Sequence, residues 1–161
     1  MPPTKRLDQR RTRPWQQDQP HMHRIGYAPG TFDLFHIGHL NLLRNARRHC
    51  DILIAGVVGD EIAFRVKRVV PVIPIADRLE ILRCIKFVDS AYLHAKDDIL
   101  AVWQELRFDI LFKGDDWKGT AKGKRLERDL ATVGVELRFF PYTTTVSSTL
   151  LRQTIQPHQV P

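Results

Sequence analysis

RIGYAPGTFDLFHIGHLNLLRNARRHC, Arg24 to Cys50, is the stretch whose reading decides the fold. Arg24 to Ala28 has strand length and composition, and Pro29 and Gly30 end it. Beyond the loop, Leu42, Leu43, Ala46 and Cys50 return at three- and four-residue spacing, the apolar stripe of a helix that begins near Gly38. A strand that feeds a helix through a glycine-opened loop is the first half of a βαβ unit.

The rhythm repeats outward from there. Strands are predicted at Arg24 to Ala28, Ile52 to Val58, Ser90 to His94, Ile110 to Lys113 and Val135 to Pro141. Between them lie amphipathic segments marked by Leu79, Leu82 and Ile85, by Ile99, Val102, Trp103 and Leu106, and by Leu126, Leu130 and Val133, the last stopped at Gly134. Alternation of this kind predicts an α/β fold: a doubly wound, Rossmann-like, five-stranded parallel sheet with helices on both faces. Ligands of such sheets lie beyond the carboxyl ends of the strands, so chemistry is expected in the loops GTFDLFHIGH, GDEIAFRVKR, GDDWKGT and YTTTVSST.

The chain has 161 residues, 43% of them hydrophobic, which suits a single cored domain, placed at residues 23–155. Residues 1–22 read as a disordered basic arm and 156–161 as a tail. The formal net charge of +7 favours an anionic ligand without choosing among nucleotide, nucleic acid and lipid headgroup. Cys50 and Cys84, both read as helical, are expected to be buried free thiols. No apolar run is long enough to span a bilayer and no signal peptide is visible, so a cytoplasmic location is expected. Neither a P-loop nor a GxGxxG fingerprint occurs.

His36 and His39 admit three readings: metal ligands, satisfied core histidines, or a phosphate clamp. A zinc site wants three or four protein ligands, and the nearest acid is Asp33. His39 shares the inward face of the helix, and both rings meet at its N-terminus, where free N–H groups favour an anion. Gly38 between them is read as leaving room for a phosphate. The position after the first strand favours the clamp.

GTFDLFHIGH resembles the His-x-Gly-His signature of the nucleotidylyltransferase superfamily, and residues 25–154 most resemble its glycerol-3-phosphate cytidylyltransferases. FKGDDWKGT, Phe112 to Thr120, is similar to that family's Gly-Asp-Asp-Trp loop, and TVSST, Thr145 to Thr149, to its Gly-Ile-Ser-Thr-Thr element. The resemblance implies transfer of CMP from CTP to a small phosphorylated alcohol, glycerol 3-phosphate by best match, giving CDP-glycerol and pyrophosphate, with magnesium accompanying the triphosphate and the chain acting as a homodimer. It implies His36 and His39 as hydrogen-bond donors to phosphate and backbone contacts from Gly30, Thr31 and Phe32; Asp33 or Asp115 is read as reaching the magnesium through water. Lys67 is the matching loop lysine, for nucleotide or acceptor phosphate, and Lys96 a second acceptor contact. Arg68 belongs to the same loop. Arg78 at a helix start is read as a bidentate phosphate grip. Asp115 and Trp117 are read as shaping the base pocket, and Ser147, Ser148 and Thr149 as helix-capping or phosphate-binding hydroxyls.

The attacking phosphate oxygen is already ionised, so such chemistry needs positioning and charge neutralisation rather than a general base. One departure stands out: Tyr142 occupies the place of the family's arginine, with Thr145 where a glycine is usual, so a pyrimidine-stacking role for Tyr142 and compensation by Arg68 or Arg152 are expected. Other substrate pairs remain open, namely CTP with phosphoethanolamine, or ATP with a sugar phosphate, FMN or phosphopantetheine. A nucleotide-sensing or nucleic-acid-binding module on the same fold is the non-enzymatic alternative.

Overall fold

The computed structural model describes residues 23–155. The basic arm and the tail lie outside them. Five parallel strands are present: β1 (Ile25–Gly30), β2 (Ile52–Val58), β3 (Ser90–His94), β4 (Ile110–Gly114) and β5 (Glu136–Phe140). They carry six helices: α1 (Ile37–Arg47), α2 (Asp60–Lys67), α3 (Ile75–Arg83), α4 (Ile99–Leu106), α5 (Ala121–Ala131) and α6 (Ser148–Ile155), with a 3₁₀ turn at Asp115–Trp117.

The spatial order is β3-β2-β1-β4-β5. The chain therefore winds one way from β1 through β3 and then returns to the middle as β4, so the switch point lies between β1 and β4. Alternation along each strand serves two cores. Ala28, Leu53, Ala55, Ile110 and Phe112 pack with Leu43 of α1 and Leu82 of α3. Tyr27, Ile54 and Leu111 pack on the other face with Val102 of α4 and Leu130 of α5. Leu82 is fully buried, so truncating it to Ala is expected to cost about 2–5 kcal/mol.

Strand positions match the periodicity closely, but three expectations change. The segment after β2, read as a loop, forms α2: Ile62 and Ala63 bury one face, while Asp60 and Glu61 sit at the positive end of the helix dipole. Its high charge density hid that short stripe. Cys50 lies beyond α1, half-buried, and Cys84 is the exposed C-cap residue of α3. Val133 and Ile85 likewise follow their helices; α5 closes where Gly134, at φ 70°, turns the chain and Val135 N–H donates to the Leu130 carbonyl at 3.1 Å.

Candidate active site

The carboxyl end of β1 runs into a turn that the local sequence alone would not hold. Phe32 and Leu34 both adopt the left-handed region, at φ 52° and 49°, which costs non-glycine residues energy. Distant segments fix it. The buried Asp33 carboxylate accepts N–H donors from Val72 at 3.0 Å and Ile73 at 2.9 Å, and pairs with Arg152 of α6 at 2.7 Å. Burial would raise its pKa, but those partners pull it below the usual carboxylate range. Ser148 Oγ donates to the Asp33 carbonyl at 2.6 Å, and Arg78 Nη1 donates to the Thr31 carbonyl at 2.6 Å.

The turn delivers the chain to α1, where the two imidazoles cap the helix. Gly38 N–H donates to His36 Nδ1 at 3.1 Å, and His36 N–H donates to His39 Nδ1 at 3.4 Å. Each Nδ1 is therefore an acceptor, which leaves each ring proton on Nε2. The rings stack with centroids 3.9 Å apart. Burial, then the neighbouring His36 and Lys67, pushes the His39 pKa down to about 3, and burial also lowers that of His36. Both are neutral N–H donors at pH 7. Gly38 makes space for the cap: a Cβ there would meet the His36 ring at 2.9 Å.

His39 opens onto a cleft of about 770 Å³ at the β1–β4 switch point. Gly30, Thr31 and Asp33 line it from the turn, Lys67 from α2, Trp117 from the 3₁₀ turn, and Ser148, Thr149 and Arg152 from α6. Lys67 Nζ is desolvated in this setting, which lowers its pKa, while Asp116 acts against that shift. His36 and Phe32 stand behind His39, the Phe32 ring meeting it edge-on at 5.3 Å between centroids.

Several predicted residues do not reach the cleft. Arg78 is fully buried outside the cleft lining, and four of its five guanidinium N–H groups go to the carbonyls of Ile73, Thr31 and Val58 and to Asp60, so it ties the end of β1 and the β2–α2 junction to α3 rather than gripping phosphate. Lys96 pairs with Glu105 on the surface. Asp115 accepts the Tyr142 N–H at 3.0 Å, so it reads the chain rather than a base edge. Tyr142 and Thr145 are exposed beside the cleft, and Arg68 turns back over the Phe64 ring at 6.0 Å. Ser147 Oγ accepts the Leu150 N–H at 3.1 Å as a cap of α6. Of the two arginines expected to replace the missing guanidinium, Arg152 is the one in the cleft wall, and its Nε is the buried side-chain polar atom without a partner among the described residues.

Two residues were not singled out from the sequence. Lys113, at the end of β4, lines the cleft, donates to the Pro29 carbonyl at 3.2 Å and lies 4.0 Å from the Trp117 ring centroid. Burial, then Lys67, lowers its pKa to about 7. His94, at the end of β3, also lines the cleft, with Nδ1 2.6 Å from the buried Tyr27 hydroxyl. The available signal was positional: a polar residue closing an apolar parallel strand faces the switch point.

Comparison with known proteins adds the following. A family profile described as cytidylyltransferase-like matches residues 27–154. The bifunctional protein HldE of Acidiphilium cryptum is 39% identical over 95 residues, 58% of this chain and 20% of that protein. The FAD synthase of Thermococcus onnurineus is 35% identical over 118 residues, 71% of this chain and 77% of that protein. The ethanolamine-phosphate cytidylyltransferase of Arabidopsis thaliana is 36% identical over 95 residues, 56% of this chain and 22% of that protein. The chain thus spans about a fifth of the HldE protein and much more of the FAD synthase. Among solved structures, the lipopolysaccharide core biosynthesis protein of Thermoplasma volcanium superposes with a TM-score of 0.65 at 25% identity, covering 76% of this chain and 98% of that one.

Proposed function

The chain belongs to the cytidylyltransferase-like family, and from that premise we propose that it transfers a nucleotidyl group from a nucleoside triphosphate to a small phosphorylated alcohol. CTP with glycerol 3-phosphate, giving CDP-glycerol, is the first pair in this reading, and a homodimer is part of it. The observation that carries it is the pair of neutral imidazoles at the start of α1, each with Nδ1 tied to a backbone N–H, beside a cleft lined by Lys67, Lys113 and Arg152.

In this reading the triphosphate lies against the α1 terminus. An acceptor phosphate oxygen attacks the α-phosphorus, a new P–O bond forms, and the bond from that phosphorus to the bridging oxygen breaks, its electron pair leaving with pyrophosphate. No proton has to be removed from the nucleophile. The Nε2–H group of His39, the ring that opens onto the cleft, donates to the oxygens on which negative charge grows, with the His36 ring stacked against it, and a His39 pKa of about 3 keeps it from shuttling protons. Arg152, in the cleft wall and paired with Asp33, adds positive charge toward the phosphates. Trp117 offers a ring face to the nucleotide, and Thr149, near the start of α6, a hydroxyl.

Among the described residues no group of three or more His, Cys, Asp or Glu side chains gathers as a metal cage. The carboxylate nearest the turn, Asp33, is occupied by Val72, Ile73 and Arg152. In this reading magnesium would come with the nucleoside triphosphate and would offset the charge of its phosphates.

The test is a pyrophosphate-release screen of CTP, ATP, GTP and UTP against glycerol 3-phosphate, phosphoethanolamine, a sugar 1-phosphate, FMN and phosphopantetheine. Turnover with one pair is the expected result, CTP and glycerol 3-phosphate being the first choice. Nucleotide binding with background release for every pair would favour the sensing module instead.

A further inference from the structure

The cleft has a second polar wall that the nucleotide-facing residues leave unused. Strand alternation puts Tyr27, His94 and Lys113 on the α4–α5 side of the sheet, opposite the side on which α1 packs. Tyr27 is fully buried between the His94 and Phe108 rings, with centroids 6.1 Å and 4.9 Å away, and its hydroxyl has His94 Nδ1 as its partner at 2.6 Å. Space for that ring is built into β2: a Cβ at Gly56 would lie 2.1 Å from the Tyr27 oxygen.

A buried phenol is the better donor of the two and an imidazole nitrogen the better acceptor, so Tyr27 O–H donates to Nδ1 and the His94 proton sits on Nε2. Burial and the positive charge of Lys113 keep this imidazole neutral, with its pKa down at about 4. Lys113 lines the same cleft, and its Nζ, as an ammonium, has three donor hydrogens and one protein acceptor, the Pro29 carbonyl at 3.2 Å, just before the Gly30–Thr31 turn. The Trp117 face holds the ammonium in place.

We propose that Lys113 Nζ and His94 Nε2–H form the seat of the acceptor's phosphate, and that Tyr27 is the positioning residue that fixes the His94 tautomer. This rests on the nucleotidyl-transfer reading above. A phosphate bound there lies toward the α4–α5 face of the sheet, across from the imidazoles of α1, where one of its oxygens can face the α-phosphorus of a nucleotide held on the other wall. Lys113 thereby takes the part that the sequence assigned to Lys96, whose ammonium pairs with Glu105 instead.

The experiment compares K113M, K113R, H94Q and Y27F with the wild type, after thermal melts confirm that each is folded. With the substrate pair found by pyrophosphate release, K113M is expected to raise the acceptor KM by about 10- to 100-fold, as loss of a charge-assisted hydrogen bond does, and to leave the nucleotide KM unchanged. K113R should recover part of the loss, and H94Q should show a smaller rise in the same constant. In Y27F the ¹⁵N shifts of His94 should report a mixture of tautomers where the wild type shows the Nε2–H form alone. Unchanged acceptor KM in K113M, or a rise confined to the nucleotide KM, overturns the proposal while leaving nucleotidyl transfer intact. Should no pair turn over in the wild type, the transfer reading fails and the seat is judged by calorimetric titration of glycerol 3-phosphate and inorganic phosphate. Binding that K113M loses then supports it, whereas binding that K113M retains, or none in the wild type, overturns it.

Discussion

The two walls of the cleft solve one problem by different means. On the α1 wall, backbone N–H groups occupy both Nδ1 atoms, so a strained turn and a helix terminus set the tautomers of His36 and His39. On the β3–β4 wall, a buried phenol does this for His94, inside a strand core with no unusual backbone. Either way the cleft receives a neutral Nε2–H donor, but the α1 wall depends on chain geometry held from a distance and the other on local packing. The difference teaches where each wall is vulnerable.

The largest effect should come from breaking the distant support of the first wall. Arg78→Met removes a fully buried guanidinium from three carbonyls and Asp60, and loss of one member of such a network is expected to cost about 3–5 kcal/mol, read as a shift of the denaturation midpoint. Phosphate binding by a folded, fully stable Arg78→Met protein that had become weaker would instead restore the grip reading. Next, His39→Ala should lower turnover by about 10²- to 10³-fold, with a smaller loss of stability of about 1 kcal/mol because the ring also accepts the His36 N–H in the cap of α1.

The second wall responds to pH. His94 in the unfolded chain takes up a proton near pH 6.5, but in the fold only near pH 4, because burial and Lys113 penalise the cation. Between those values the unfolded state binds more protons, so stability is full above about pH 6.5 and falls as the pH drops toward 4, by up to about 3 kcal/mol. The difference between wild type and H94Q in denaturant titrations at pH 7 and 4.5 isolates that share. The smallest effect belongs to Gly38→Ala: its Cβ would press on the His36 ring at 2.9 Å, and a displaced cap should reduce turnover by about tenfold with little loss of stability.

The comparison also marks what could be read from the chain. Strand and helix periodicity located all five strands, since burial on both faces leaves near-continuous apolar runs in a parallel sheet. Local sequence likewise placed His36 and His39, because their position at the helix start follows from spacing. Asp33, Asp115 and Arg78 were the opposite case. Their charge suggested ligand contacts, but each is held by groups distant in sequence, Asp33 by the Ile73 N–H, Arg78 by the Thr31 carbonyl and Asp115 by the Tyr142 N–H, which no local pattern reveals. Lys113 and His94 escaped notice for a related reason: each is one polar residue at the end of a strand, and only the sheet order brings them together.

The proposed transfer depends on neutral, Nε2-protonated imidazoles on both walls. Long-range ¹H–¹⁵N correlation of the histidine rings at pH 7, followed by titration to pH 3, measures that state directly. The expected spectrum shows His36, His39 and His94 as Nε2–H tautomers, with His94 charging near pH 4 and His39 near pH 3. Imidazolium signals from His39 or His94 at pH 7, or a proton on Nδ1 of either ring, would contradict it.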